Sequence, residues 1–236
     1  MHIEIQPDVD RAARWAAMFI AARAREAVRE RGRFLVALSG GETSAPMLKA
    51  LAQLRLPWRC VELFQVDERA APFGSAARNL TRLDELLVSR VSLPAQSVHP
   101  MPVEDADLMA AAAGYAGNLV AVAGAPPVLD LVHLGLGDDG HTASLVPGDA
   151  ALDANDIWVA ATGPYRGFRR ITLTVPVLDR ARCVLWLVCG ARKSDVLARL
   201  ANGVGGIPAA LVSRDRAWIV ADEPAAAALQ SRRGSS

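Results

Sequence analysis

Lysine is almost missing from this 236-residue chain, where Lys49 and Lys193 stand against 24 arginines. With 44 alanines beside them, the skew resembles a bias of coding-DNA composition more than a chemical choice. A single arginine is therefore weak evidence, and a lysine is worth noticing. An excess of one charge is missing too: 26 basic and 25 acidic residues leave +1, with a pI near 7.8. That balance excludes a global pull toward nucleic acid or anionic membrane, so any bound anion must be held by a local cluster. Cysteine is scarce. Cys60, Cys183 and Cys189 are odd in number and form no CxxC pair, which argues against a disulfide framework or a zinc knuckle and fits a reducing cytoplasm. No stretch approaches about eighteen uncharged apolar residues. The opening MHIEIQPDVDRA lacks a basic region followed by an apolar one, so a soluble, non-exported protein is expected.

What is present is apolar material, 52% of the chain, enough for one sizeable core. Residues 1–230 are expected to form one domain, and the tail SRRGSS at 231–236 to be disordered. Apolar helical segments separate short continuous apolar runs, the pattern of strands covered on both faces. Helices are expected over 10–31, 44–54, 79–88, 104–123 and 192–201, with a short one at 208–212. Strands are expected in RFLVALSGG, CVELFQVDE, VLDLVHLGLG, WVAATG, RITLT, RCVLWLVCG and AWIVA, and a short segment in SVHPM. The alternation predicts an α/β fold with three layers, α/β/α, around a mostly parallel, Rossmann-like sheet. Ligands of such sheets sit beyond the carboxyl ends of the strands, so the loops after strands carry the chemistry.

Four such loops stand out. Ser39-Gly40-Gly41-Glu42-Thr43-Ser44 has adjacent glycines before a helix, suited to a phosphate or oxyanion, though it lacks the GK[ST] of a nucleotide loop and is as often a tight turn. Asp67-Glu68-Arg69 ends an apolar strand; Asp67 could orient a base and Arg69 clamp an anion, against the blander reading of a salt-bridged strand end. The third, Gly135-Leu136-Gly137-Asp138-Asp139-Gly140-His141, contains a literal GxGxxG. Asp138 and Asp139 would sit where a pyrophosphate should lie, and Pro147-Gly148 cuts short the following helix, which argues against a dinucleotide site. His141 is the only one of four histidines flanked by glycine and carboxylate at a strand end, as a general base requires; His133, inside a strand, reads as packed core. The fourth is Tyr165-Arg166-Gly167-Phe168-Arg169-Arg170, with Lys193 beyond another strand. Loop arginines usually only solvate a surface; Lys193 is harder to dismiss.

Taken in order, SGGETSAPML, VDERAAPFGSAARN, DLVHLGLGDDGHTASLVPG, RRITLTVPVLDRA and CGARKSDVL resemble the 6-phosphogluconolactonase family over residues 34–220. The segment DGHTASLVPG matches this family, where the related glucosamine-6-phosphate deaminases read DGHIAFNEPG. The resemblance implies metal-free and cofactor-free hydrolysis of 6-phospho-D-glucono-1,5-lactone in the oxidative pentose phosphate pathway. By motif, His141 matches the base, Asp67 and Arg69 the DER segment, Gly40 and Gly41 the paired-glycine turn, and Asn79 an asparagine that serine usually precedes, where Arg78 stands here. Many relatives carry a lysine before RITLT at the place of Tyr165, and Arg166 is the neighbouring cation.

A δ-lactone is an activated ester, so a base that deprotonates water suffices. His141 would be that base, oriented by Asp67 or Asp139, with main-chain N–H groups stabilising the oxyanion. Arg69, Arg170 and Lys193 would hold the remote phosphate. A Ser-His-Asp triad is disfavoured, because Ser144 follows His141 by three residues on an expected helix and no G-x-S-x-G elbow exists. Two alternatives are a glucosamine-6-phosphate deaminase and a sugar-phosphate sensor without turnover. The sensor would need an output module, and neither a basic recognition helix nor a second domain is evident.

Overall fold

A computed structural model describes residues 1–231. Asp8 starts the first helix, α1 (Val9–Arg31), by accepting a hydrogen bond from the Arg11 N–H at 2.7 Å, and Gly32 ends it in the left-handed region at φ 75°. Its inner face is Ala12, Ala13, Ala16, Ala17, Ile20, Ala21, Ala24 and Ala27, all buried. Small side chains at that helical spacing let the helix approach its neighbours closely.

The central sheet has seven strands: β1 (His2–Gln6), β2 (Phe34–Leu38), β3 (Val61–Gln65), β5 (Val98–His99), β6 (Leu131–Leu134), β9 (Val184–Val188) and β10 (Ala217–Asp222). Their order is β1-β10-β9-β6-β2-β3-β5, and every pairing is parallel. Strand alternation divides the core in two. Phe34, Val36, Leu38, Leu185 and Leu187 pack on one face with α1, α2 (Ala45–Ala52) and α3 (Asn79–Leu86). Leu35, Ala37, Val184, Trp186 and Val188 face α4 (Leu108–Ala123), α5 (Val175–Arg180), α6 (Ser194–Asn202) and α7 (Glu223–Ser231) on the other. Each fully buried Leu or Val contributes about 1.5–3 kcal/mol of transfer free energy, so helices on both faces are what make the apolar strands favourable. The expected three-layer, mostly parallel arrangement is the observed one.

Several features depart from the sequence-based expectations. β1, absent from them, pairs with β10 at the sheet edge. WVAATG and RITLT do not join the parallel sheet. They become β7 (Val159–Tyr165) and β8 (Phe168–Leu173), which with β4 (Asp67–Arg69) form a separate antiparallel sheet of order β4-β8-β7. The helix expected after His141 does not form; Thr142 and Leu145 make an isolated antiparallel bridge, followed by turns. α4 begins at Leu108 because Asp107 caps it, accepting from the N–H groups of Met109 and Ala110. A short 3-10 turn, Glu42–Ser44, precedes α2, and the Ser44 hydroxyl donates to the Gly41 carbonyl at 2.5 Å there. Ser231 closes α7, and residues 232–236 of the expected disordered tail lie outside the described residues. No described helix is long and apolar enough to cross a membrane.

Candidate active site

A cleft of about 510 Å³ opens where β2, β6 and β9 end, and among its walls are Asp67, Arg69, Asn79, His141, Arg170 and Lys193. Gly41, Asp138, Arg166 and Arg192 border it as well. Parallel strands deliver their carboxyl ends to one side, which is why sequence-distant loops converge there.

His141 is one-fifth exposed, and its Nδ1 lies 2.5 Å from Asp139 Oδ1. The main-chain N–H of His141 also donates to that oxygen, at 3.2 Å. Only glycine at 137 permits this: a Cβ there would stand 2.0 Å from His141 Nδ1 and 2.6 Å from Asp139 Oδ1. Burial would raise the Asp139 pKa, but hydrogen bonds from Tyr165 and His141 outweigh it and bring the carboxyl down to about 2. Asp139 is thus a fixed anion above that pH, holding Nδ1 and leaving Nε2 as the nitrogen that can face a reactant.

Asp67, the other acid that could orient the base, is occupied elsewhere. It is buried, accepts the Ser144 hydroxyl at 2.6 Å and the Asn79 amide at 3.2 Å, and lies 4.0 Å from an Arg170 nitrogen. Burial pushes its pKa up, against the Ser144 bond and Arg170, which pull it down. Ser144, fully buried with its hydroxyl committed to Asp67, is no nucleophile. Asn79 opens α3 and also donates to the Asp67 carbonyl at 3.0 Å. Gly40 packs against this asparagine; a Cβ at 40 would meet Asn79 Cβ at 2.6 Å. Its role is close packing of the first loop on α3, while Gly41 borders the cleft. Arg78 is buried and ion-paired, 3.1 Å from Glu68 and in contact with Glu104.

The cations come from three elements. Arg69 Nη1 donates to the Ala77 carbonyl at 2.8 Å, and Arg170 projects from β8. Lys193 pairs with Asp138, with Arg192 3.9 Å from the same carboxylate. That pairing, the Lys193 hydrogen bond above all, holds the Asp138 pKa below its ordinary range. The sequence reading missed Gly137 and Tyr165 as site residues. Gly137 was visible within the GxGxxG, but its purpose, room for the imidazole, is a contact made across a turn. Cys189 borders the cleft too, yet burial pushes its thiol up to about 12, which removes the thiolate that a nucleophile needs. Among the described residues no group of three or more His, Cys, Asp or Glu could hold a metal ion. A second cavity, at the amino ends of the strands, is lined by opposed charges that pair locally, with Asp130 between Arg31 at 2.9 Å and Arg182 at 3.4 Å.

His133 is packed as expected, 1% exposed, with both ring nitrogens unpartnered among the described residues. Burial pushes its pKa down to about 4, below an ordinary value of about 6.5. Between these limits the unfolded chain binds a proton that the folded chain refuses, so stability falls as pH drops through the window, by up to about 3 kcal/mol. His133→Leu is expected to remove this slope, read as the change in urea midpoint from pH 7 to pH 4. Parallel midpoint curves for the two proteins would remove His133 as its source.

Sequence and structure comparisons agree on the relatives. The family described as glucosamine-6-phosphate isomerases/6-phosphogluconolactonase matches residues 7–220. A 6-phosphogluconolactonase of Synechocystis is 38% identical over 78% of this chain and 78% of its own length. One from Mycobacterium tuberculosis is 37% identical over 97% of this chain and 98% of its own. The crystal structure of a 6-phosphogluconolactonase from Thermotoga maritima, 27% identical, superposes with a TM-score of 0.83 over 94% of this chain and 98% of that one. The chain belongs to the glucosamine-6-phosphate isomerase/6-phosphogluconolactonase family.

Proposed function

We propose that this protein hydrolyses 6-phospho-D-glucono-1,5-lactone to 6-phospho-D-gluconate, with His141 as general base. The observation that carries the mechanism is the 2.5 Å contact between His141 Nδ1 and an Asp139 held ionised. In the neutral imidazole it holds the proton on Nδ1 and leaves the Nε2 lone pair available to water. Water attacks the lactone carbonyl carbon while Nε2 takes its proton, and Asp139 stabilises the imidazolium that forms. Collapse of the tetrahedral intermediate breaks the bond to the ring oxygen, which leaves as an alkoxide and recovers the proton from His141. Atoms balance with water alone, so neither a covalent nucleophile nor a cofactor enters. Arg69, Arg166, Arg170 and Lys193 on the cleft wall match a phosphate remote from the carbonyl. In a chain of nearly zero net charge their clustering is the local anion site that composition demands.

The test is direct measurement of lactone disappearance against its spontaneous background. Hydrolysis well above background is expected, unchanged by a chelator, with no ammonia released from glucosamine 6-phosphate. Activity that vanishes on chelation and returns with a divalent ion would overturn the metal-free mechanism. Ammonia release without lactone hydrolysis would transfer the protein to the deaminase reading.

A further inference from the structure

We infer that Tyr165 is a positioning residue for the base: its phenol fixes the Asp139 carboxylate that in turn fixes the His141 imidazole. The inference rests on the reading of His141 as the base.

Local geometry delivers the phenol to this point. Tyr165 pairs with Phe168 across a two-residue turn, Arg166-Gly167, whose φ values of 49° and 84° are both positive, as a type I′ hairpin requires. Just before it the ladder shifts register between Thr162 and Tyr165, at Gly163-Pro164, and such an irregularity re-aims the residues that follow. The Gly163 N–H donates to Asp149 Oδ2 at 2.8 Å, which pins the irregular segment. Arg170 Nη2 donates to the Tyr165 carbonyl at 3.2 Å, and the guanidinium carbons of Arg166 and Arg170 each lie 5.2 Å from the ring centroid.

From this position the Tyr165 hydroxyl donates to Asp139 Oδ2 at 2.7 Å, while Oδ1 of the same carboxylate faces His141 Nδ1. With a donor on each oxygen the carboxylate cannot swing without breaking one contact. The Tyr165 and His141 rings meet edge to face, with centroids 5.4 Å apart. The charged groups that face the phenol are Asp139 from the loop after β6 and Arg166 and Arg170 from the hairpin; the Asp138 and Lys193 pair also borders the cleft. Burial, then the Asp139 bond, raises the Tyr165 pKa, so the hydroxyl remains a donor throughout the neutral range. By sharing the carboxylate's charge, the phenol makes Asp139 a weaker base. The shared proton therefore stays on Nδ1, which keeps the lone pair on Nε2.

Tyr165→Phe removes the hydroxyl and retains the ring against both arginines. Three changes are expected. The kcat falls about tenfold, as for loss of a group that orients an active-site histidine, with KM within about twofold of native. The acid limb of the kcat/KM profile moves to higher pH, because a carboxylate relieved of one donor holds the imidazolium proton more firmly. The proton resonance of His141 Nδ1–H shifts, a readout independent of turnover. An unchanged kcat overturns the inference. A lower kcat with both the limb and the resonance unmoved overturns it too, and so does a higher KM with native kcat, which would make Tyr165 a substrate contact. A native protein that does not hydrolyse the lactone defeats the underlying reading instead, and the resonance still reports whether the phenol acts on the imidazole.

Discussion

His141→Asn is expected to lower the turnover of lactone hydrolysis by about 10²–10⁴-fold, the usual contribution of a positioned base. Asparagine is close to histidine in size and polarity, and the imidazole is partly exposed on a turn, so the fold and the phosphate affinity should survive. Unfolding midpoints would show the first, and inhibition by inorganic phosphate the second. The residual rate would come from orientation and electrostatic stabilisation, which do not need the imidazole. A folded His141→Asn protein with near-native turnover would remove the base from the mechanism. Asp67 would not take its place, since both its oxygens are engaged by Ser144 and Asn79.

Lys193→Met is expected to raise KM for the lactone by about tenfold to a hundredfold. A hydrogen bond to a charged group is worth about 1.5–3 kcal/mol, which converts to that range. In the free protein Lys193 already pairs with Asp138, and an incoming phosphate must share or displace that partner. The substitution therefore acts twice: it deletes a cation and leaves Asp138 with only the looser Arg192 pairing, at 3.9 Å. Turnover should fall as well, by a smaller factor, because the remote anchor orients the ring against the base. Steady-state kinetics would check both. Unchanged KM and kcat would make Lys193 a surface residue and shift phosphate binding to the arginines.

The inner strands were legible because burial on both faces makes them continuous apolar runs: FLVAL, LVHL and VLWLV stand out without any helix periodicity. The edge strand β1 was not, since HIEIQ is half exposed and alternates with polar residues over a length too short to register. The second sheet was hidden for another reason. WVAATG and RITLT have ordinary strand composition; they pair with each other as a hairpin, and the antiparallel pairing of RITLT with Asp67–Arg69 depends on contacts about a hundred residues apart. At the site, the loop carrying His141 announced itself through glycine and carboxylate. The choice between Asp67 and Asp139 as its partner did not, because it turns on Gly137 leaving room for the ring. The extra helix expected around Ser144 fails where Pro147-Gly148 follows. Tyr165 carries no sequence signal for its contact with Asp139, which arises from a hairpin turn and a register shift.

The most direct test of the mechanism is the pH dependence of kcat/KM for the native protein and His141→Asn, measured side by side after subtraction of spontaneous hydrolysis. The native rate should fall as pH drops, with the slope of a single proton, because protonated imidazole cannot accept one from water. Asp139, held at about 2, cannot supply a limb in the neutral range. The same limb should be missing from the His141→Asn profile. A native profile that is flat from pH 8 to pH 5, or a His141→Asn protein that keeps the native limb, would contradict the assignment of His141 as the base.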